Sequence, residues 1–323
     1  MTDSLNGMKK YTADCKNDSE DGDMDMQSLI NEIKLLKKEK NAVIFAHVYQ
    51  DGMIQDIADF TGDSLALSKK AVDTDAELIV FCGVTFMAET AHILNPEKTV
   101  LLPRLEAGCG LADMATVEKL KDLKKKHPYA AVVSYVNSSA EIKAISDVCC
   151  TSANAVDIVN AIKEDTIIFV PDKNLGSYIA EKTDKKIILW NGYCYVHENI
   201  TPDTIKQLKH DHPNAEVIVH PEVPKTVRDM ADFVGGTGHM AKHVKETDTK
   251  EFIVGTEDNF TYRLKKDNPN KSFYTVNTAC VGMRKSSLAD VKDALEKKQY
   301  IITIDEDIRN KAYKALETMM KLS

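Results

Sequence analysis

The 323-residue chain has no run of the roughly eighteen apolar residues that a membrane-spanning helix requires. Its first residues also lack the apolar core of a secretory signal. Positive charge is short: 42 Lys and Arg against 50 Asp and Glu leave a net charge of -8, which excludes nucleic acid or an anionic membrane as the main partner. Cysteine is sparse and odd in number, seven in all, which excludes a disulfide scaffold and predicts a reducing cytoplasm. P-loop, G-x-G-x-x-G, H-E-x-x-H and G-x-S-x-G motifs are all absent. That argues against a nucleotide-driven enzyme, a zinc protease or a serine hydrolase.

What is present is an ordinary globular composition, 43% hydrophobic and 28% charged, long enough for two or three domains. Half of the net charge lies in residues 1–26. There Asp3, Asp14, Asp18, Glu20, Asp21, Asp23 and Asp25 face only Lys9, Lys10 and Lys16. Without apolar periodicity, this segment reads as an acidic, disordered extension.

The most informative feature is a period. Cys109, Cys194 and Cys280 are separated by 85 and 86 residues. His47-Val48-Tyr49, Tyr135-Val136-Asn137 and His220-Pro221-Glu222 each follow a short apolar run, at intervals of 88 and 85, and Ser64, Ser152 and Thr237 keep the same two intervals. The chain therefore reads as one unit of about 85 residues used three times. Val/Ile-rich runs (AVIFAHVY, ELIVFC and TVLLP in the first copy) alternate with helical patterns, which predicts parallel βαβ units. The expected fold is α/β, with three pseudo-threefold-related three-layer α/β/α domains, each with a small parallel sheet, around a central site. Their boundaries are expected at 27–108 plus a C-terminal return of 283–323 (helix, short strand at 300–304, terminal helix), then 109–193 and 194–282. Ligands of such sheets collect at the carboxyl ends of the strands, where the triplets, hydroxyls and cysteines all fall.

Three thiolates leave one position of a four-coordinate site open, which suits a soft metal or an iron–sulfur cluster acting as a Lewis acid. The commoner fate of cysteine is apolar burial. Cys82, Cys149 and Cys150 are read that way, on a strand or beside a helix start and without a repeat partner, while Cys15 falls in the acidic arm. The triplets supply residues used in proton transfer and carbonyl polarisation: His47, Tyr49, Tyr135, Asn137, His220 and Glu222. Any one alone reads equally as a structural residue; recurrence at one topological position favours function. Ser64, Ser152 and Thr237, at helix starts, are either ordinary N-caps or hydroxyls in anion sockets. Three of them point to a substrate set with several negative charges. His197, three residues past Cys194, either lines the site or caps the following segment.

The segments AHVYQD, IQDIADFTGDSLALS, EAGCGLAD, SYVNSSAEIKA, TSANAV, PDKNLG, WNGYCYVH, HPEVP, GGTG and FIVGTE, in this order, resemble the quinolinate synthase A family from about residue 27 onward. The resemblance implies a triangular three-domain α/β protein holding a [4Fe–4S] cluster on Cys109, Cys194 and Cys280, one iron open to substrate. It implies a transferase of NAD biosynthesis that condenses iminosuccinate (iminoaspartate) with dihydroxyacetone phosphate, losing phosphate and water to form quinolinate. An aspartate oxidase or dehydrogenase would supply the imine. His47, Ser64, Tyr135, Val136, Asn137, Ser152, His220, Pro221 and Thr237 would belong to substrate binding. Tyr49 and Glu222 would be the acid–base pair, Glu222 also touching substrate. Some relatives carry C-x-x-C at the third ligand; here Cys280 is followed by VGMRK, so redox control there is not expected. The alternatives are another cluster-dependent hydro-lyase, a cluster-based small-molecule sensor, or a zinc-binding ligand module.

Overall fold

In a computed structural model describing residues 18–323, the chain forms three parallel four-stranded sheets with helices between the strands. The first unit runs α1 (Asp18–Glu39), β1 (Ala42–His47), α2 (Gly52–Ile57), β2 (Phe60–Gly62), α3 (Ser64–Asp73), β3 (Leu78–Cys82), α4 (Thr85–Leu94) and β4 (Thr99–Leu101). The second runs α5 (Gly110–Asp113), α6 (Val117–Lys126), β5 (Ala131–Tyr135), α7 (Ala140–Ala144), β6 (Val148–Cys150), α8 (Ala155–Ala161), β7 (Thr166–Val170), α9 (Lys173–Ala180) and β8 (Lys186–Leu189). The third runs α10 (Tyr195–Glu198), α11 (Pro202–Asp211), β9 (Glu216–Val219), α12 (Lys225–Arg228), β10 (Phe233–Val234), α13 (Thr237–Glu246), β11 (Glu251–Gly255), α14 (Phe260–Asp267) and β12 (Ser272–Thr275). Two further helices close the chain, α15 (Leu288–Lys297) and α16 (Glu306–Leu322).

The sheets share one strand order: β2-β1-β3-β4, β6-β5-β7-β8 and β10-β9-β11-β12. The central strands are nearly all apolar because helices cover both faces, as in β3 and β5, where every residue is buried. Each sheet has one strand more than the sequence pattern shows. β2, β6 and β10 are two or three residues long and flanked by turns, so they read as loop. Cys149 and Cys150 accordingly lie on a strand, not beside a helix start.

One aspartate holds each short strand in register. Asp59, Asp147 and Asp232 each accept an N–H near the start of their unit's first strand (Ile44, Val132, Val217) at 2.8 Å. They return their own N–H to the carbonyl of that same residue. A lysine repeats likewise. Lys98, Lys185 and Lys271 donate to the terminal carbonyls of α3, α8 and α13 at Thr74, Ile162 and Thr247, where the helix dipole favours a cation.

The terminal segments depart from expectation. Helix α1 begins at Asp18, so residues 18–26 of the expected disordered arm are helical, and residues 1–17 lie outside the described residues. Residues 300–304 make only an antiparallel bridge, Ile301 to Leu101, rather than a strand. Helix α15 packs on α1 and β3, but α16 lies along α7, β6 and α8 of the second unit as well as α4 of the first. One apolar core accordingly joins the first two sheets with Leu316 and Met319 of α16. The third sheet has separate cores on its two faces.

Candidate active site

The carboxyl ends of β1, β5 and β9 open on one cavity lined by residues of all three units. After each strand the chain turns back at once: Gln50 N–H bonds the His47 carbonyl at 2.9 Å, Ser138 Oγ the Tyr135 carbonyl at 2.8 Å, and Val223 N–H the His220 carbonyl at 3.1 Å. The outer residues of each triplet thus reach the cavity, as His47 and Tyr49, Tyr135 and Asn137, and His220 and Glu222. The middle residues Val136 and Pro221 are buried and do not line it.

Two of these turns determine a histidine tautomer. Tyr49 N–H donates to His47 Nδ1 at 3.2 Å, and Glu222 N–H to His220 Nδ1 at 3.4 Å. Both rings are therefore neutral with their proton on Nε2. That of His220 bonds Ser152 Oγ at 3.1 Å. Burial pushes both imidazoles down to about 3, more than the nearby Glu222 carboxylate pulls them up.

Ser64 and Thr237 are the first residues of α3 and α13, whose N-caps are Asp63 and Gly236, and Ser152 lies two residues before Asn154, the N-cap of α8. None of the three hydroxyl residues is itself the N-cap. All three line the cavity. The Ser152 and Thr237 segments meet closely: a Cβ on Gly236 would come 2.7 Å from Ser152 Oγ. Asn137 Oδ1 is buried at the cavity without a partner. An orphaned acceptor at a cavity wall is a place for a ligand donor.

Cys109, Cys194 and Cys280 are partly exposed and all line this cavity. Each opens one turn of helix or tight turn, its carbonyl accepting the N–H four residues on: Asp113 at 3.2 Å, Glu198 at 2.8 Å and Arg284 at 3.1 Å. Each sulfur then lies among backbone N–H groups, from Leu111 and Ala112, from His197, and from Gly282 and Met283. Such donors stabilise thiolate sulfur, so the set fits a soft metal or iron–sulfur group held on three cysteines. Without such a group, burial raises all three thiols, Cys109 to about 12. Cys82, Cys149 and Cys150 are fully buried in the sheets, away from the cavity.

The most connected group is Glu222, 2% exposed. It accepts Tyr135 Oη–H at 2.6 Å on Oε1 and His197 Nδ1–H at 3.0 Å on Oε2. His197 Nε2 lies 2.8 Å from Thr256 Oγ1, which lies 2.6 Å from Tyr49 Oη. Burial acts to raise the Glu222 carboxyl, but His197, His220 and these hydrogen bonds outweigh it and leave it at about 2. Burial and the adjacent Glu222 charge hold Tyr49 and Tyr135 well above 10, so both phenols stay donors. With His197 Nδ1–H on the carboxylate, its Nε2 accepts from Thr256, and Thr256 accepts from Tyr49. One directed chain runs Tyr49–Thr256–His197–Glu222.

His197 thus lines the site. Thr256 and Glu257 were not singled out from the sequence. They follow β11, where the other units carry Gly83 and Pro171 in place of Thr256, so the period holds no signal for it. Cys194, His197 and Glu222 also form a compact group with donor atoms within 4.8 Å of one another.

The family model described as quinolinate synthetase A protein matches residues 31–321. A protein named quinolinate synthase from Clostridium perfringens is 52% identical over 295 residues, covering 90% of this chain and 98% of its own. One of the same name from a Geobacter strain is 51% identical over 301 residues, 93% of this chain and 99% of its own. Another, from Dehalococcoides mccartyi, is 51% identical over 295 residues, 91% and 98%. A match of that length, on a chain whose strand ends bring three cysteines and a buried hydrogen-bonded chain to one cavity, places this protein in the quinolinate synthetase A family.

Proposed function

We propose that the chain condenses iminosuccinate with dihydroxyacetone phosphate to give quinolinate, with loss of phosphate and water, and that Cys109, Cys194 and Cys280 hold a [4Fe–4S] cluster. The single observation that carries this is the equal presentation of the three thiols to one cavity, each from the same kind of turn. In the same reading the units 27–108 with 283–323, 109–193 and 194–282 are related by a pseudo-threefold axis through the cavity. The protein works in the cytoplasm beside an aspartate oxidase or dehydrogenase that supplies the imine.

When bound, the cluster would offer one open iron as a Lewis acid to a substrate oxygen. The protein's own groups divide the remaining work. His47 Nε2–H, Asn137, Ser152 and the starts of α3 and α13 at Ser64 and Thr237 supply donors for two carboxylates and a phosphate, which an acidic protein must provide locally, and Tyr135, its Oη–H held by Glu222, packs beside them. Glu222, ionised at neutral pH, orients His197 through its Nδ1–H. His197 takes or returns a proton through Thr256, and Tyr49 is the group that presents it to substrate. Tyr49 and Glu222 therefore act as the two ends of one relay rather than as a touching pair.

The first test is iron and acid-labile sulfide on protein purified without oxygen, for wild type and for a variant with all three cysteines changed to serine. About four of each per chain, lost in the variant, followed by quinolinate formation from the two substrates, supports the reading. A protein that takes up no iron after anaerobic reconstitution overturns it. Tyr49→Phe and Glu222→Gln should each depress turnover about 10²–10⁴-fold, and normal turnover in both removes them from the mechanism. The compact group Cys194, His197 and Glu222 favours one other reading, a single zinc ion, which the same metal analysis separates.

A further inference from the structure

The loops that carry the three cysteines are clipped to their sheets at one shared position. Val84, Asp172 and Glu257 each lie two residues beyond the third strand of their unit, after β3, β7 and β11. The residue after each (Thr85, Lys173, Asp258) donates its N–H to the carbonyl two residues before the cysteine: Ala107 at 2.8 Å, Gly192 at 2.8 Å, Thr278 at 3.1 Å.

In the second and third units a carboxylate doubles this clip. Asp172 Oδ2 accepts the N–H of Cys194 at 3.1 Å, while its Oδ1 caps α9 by accepting Leu175 N–H at 2.7 Å. Glu257 Oε1 accepts the N–H of Cys280 at 3.3 Å, while its Oε2 accepts Asn259 N–H at 2.7 Å, at the start of α14. Arg284, four residues past Cys280, adds Nε and Nη2 to the same Oε1 at 2.9 and 2.8 Å. Both carboxylates are wholly buried. In the first unit the position is Val84, which has no acceptor, and Thr85 Oγ1 instead makes a second bond to the Ala107 carbonyl at 3.1 Å.

Two buried carboxylates at one position of a repeat, each divided between a helix start and a cysteine N–H, are more than caps. A cap needs one oxygen, and the other oxygen in each case is spent on the cysteine backbone. We propose that Asp172 and Glu257 are positioning residues that hold the Cys194 and Cys280 loops in the geometry that retains the metal group. They act through the backbone of the residue that would bind iron, and Glu257 also lines the cavity. This rests on the reading of the three cysteines as cluster ligands.

The test compares anaerobically reconstituted wild type, Asp172→Asn and Glu257→Gln, with Asp305→Asn as control. Asp305 caps α16 through Asp307 and Ile308 N–H and contacts no cysteine. An amide has one acceptor, so each of the first two variants must give up either the helix bond or the cysteine bond. Iron release to a chelator, bleaching of the visible band, the electron paramagnetic resonance signature of the reduced cluster and thermal unfolding of the metal-free forms are all measured.

Release should quicken about 10–100-fold in Asp172→Asn and Glu257→Gln, the usual loss when a partner behind a metal ligand is removed, with an altered resonance signature. Asp305→Asn should release at the wild-type rate. Wild-type release in both carboxylate variants overturns the proposal. So does acceleration matched by Asp305→Asn at equal loss of metal-free stability. Should Asp172→Asn fail to fold, Glu257→Gln decides alone. A wild type that takes up no iron instead overturns the cluster reading beneath it.

Discussion

Replacing Gly282 by alanine should keep the protein from taking up the proposed metal group while leaving the three sheets folded. Gly282 lies two residues past Cys280, and its backbone rests on that of the Cys109 loop. A Cβ there would stand well under 3.0 Å from the Gly108 carbonyl oxygen, and 3.2 Å from Val84 Cγ1. The obstacle is backbone and cannot rotate away as a side chain would. Restoring ordinary contact requires the two cysteine loops to part by about 1 Å, twice the roughly 0.5 Å that a functional constellation tolerates. The strain itself costs about 1–3 kcal/mol, as for other overpacked sites, too little to unfold a protein of this size but enough to misplace two of three ligands. Gly108 and Gly110 flank Cys109, and a Cβ on either meets nothing within 4 Å. No described glycine has positive φ, so alanine is unstrained at all three. The assay is iron per chain and the visible spectrum after anaerobic reconstitution, with circular dichroism as the check on folding. Gly282→Ala should bind little iron and Gly110→Ala a full complement. If Gly282→Ala fills to the wild-type level with an unchanged spectrum, contact between the two loops is not what positions Cys109 against Cys280.

Thr256→Val keeps shape and removes the hydroxyl between Tyr49 and His197. Steady-state kinetics should show kcat falling about 10²–10⁴-fold with little change in KM; an unchanged kcat would mean that no proton passes by this route. Burial lowers His47 and His220 to about 3, and the charges of His197 and His47 lower His220 further, while Glu222 acts to raise both. The unfolded chain therefore binds two more protons than the folded one between about pH 6.5 and pH 3. Their stabilisation is full above pH 6.5 and is lost as pH falls, by about 1.4 kcal/mol per histidine per pH unit. Denaturant unfolding of the metal-free protein should weaken accordingly between pH 6 and 5, and His47→Asn should halve that slope; a slope unaltered by the substitution would show that His47 is already protonated when folded.

Much of this site was legible because its parts are local. A cysteine turn, a strand-end triplet and a helix-start hydroxyl each need only a few consecutive residues, so duplication of the unit repeats them at 85 to 88 residues. Asp59, Asp147 and Asp232 keep the triplets' intervals of 88 and 85, and would have disclosed the short edge strands that β propensity over two or three residues cannot. The apolar pattern of α1 begins only near residue 27 because the sequence of residues 18–26 is rich in Asp and Glu.

The sequence by itself determined the three parallel sheets and placed the thiols, triplets and hydroxyls at the strand ends, since these follow from patterning within one unit. Only the tertiary structure decided what they do together. Tyr49 meets Thr256 across 207 residues, and Tyr135 meets Glu222 across 87. A hydrogen bond between such partners depends on positions correct to a few tenths of an ångström, set by how the separate units pack. No periodicity records that, and so the relay through His197, the carboxylates behind Cys194 and Cys280, and the division of the C-terminal helices between units appeared only in the fold.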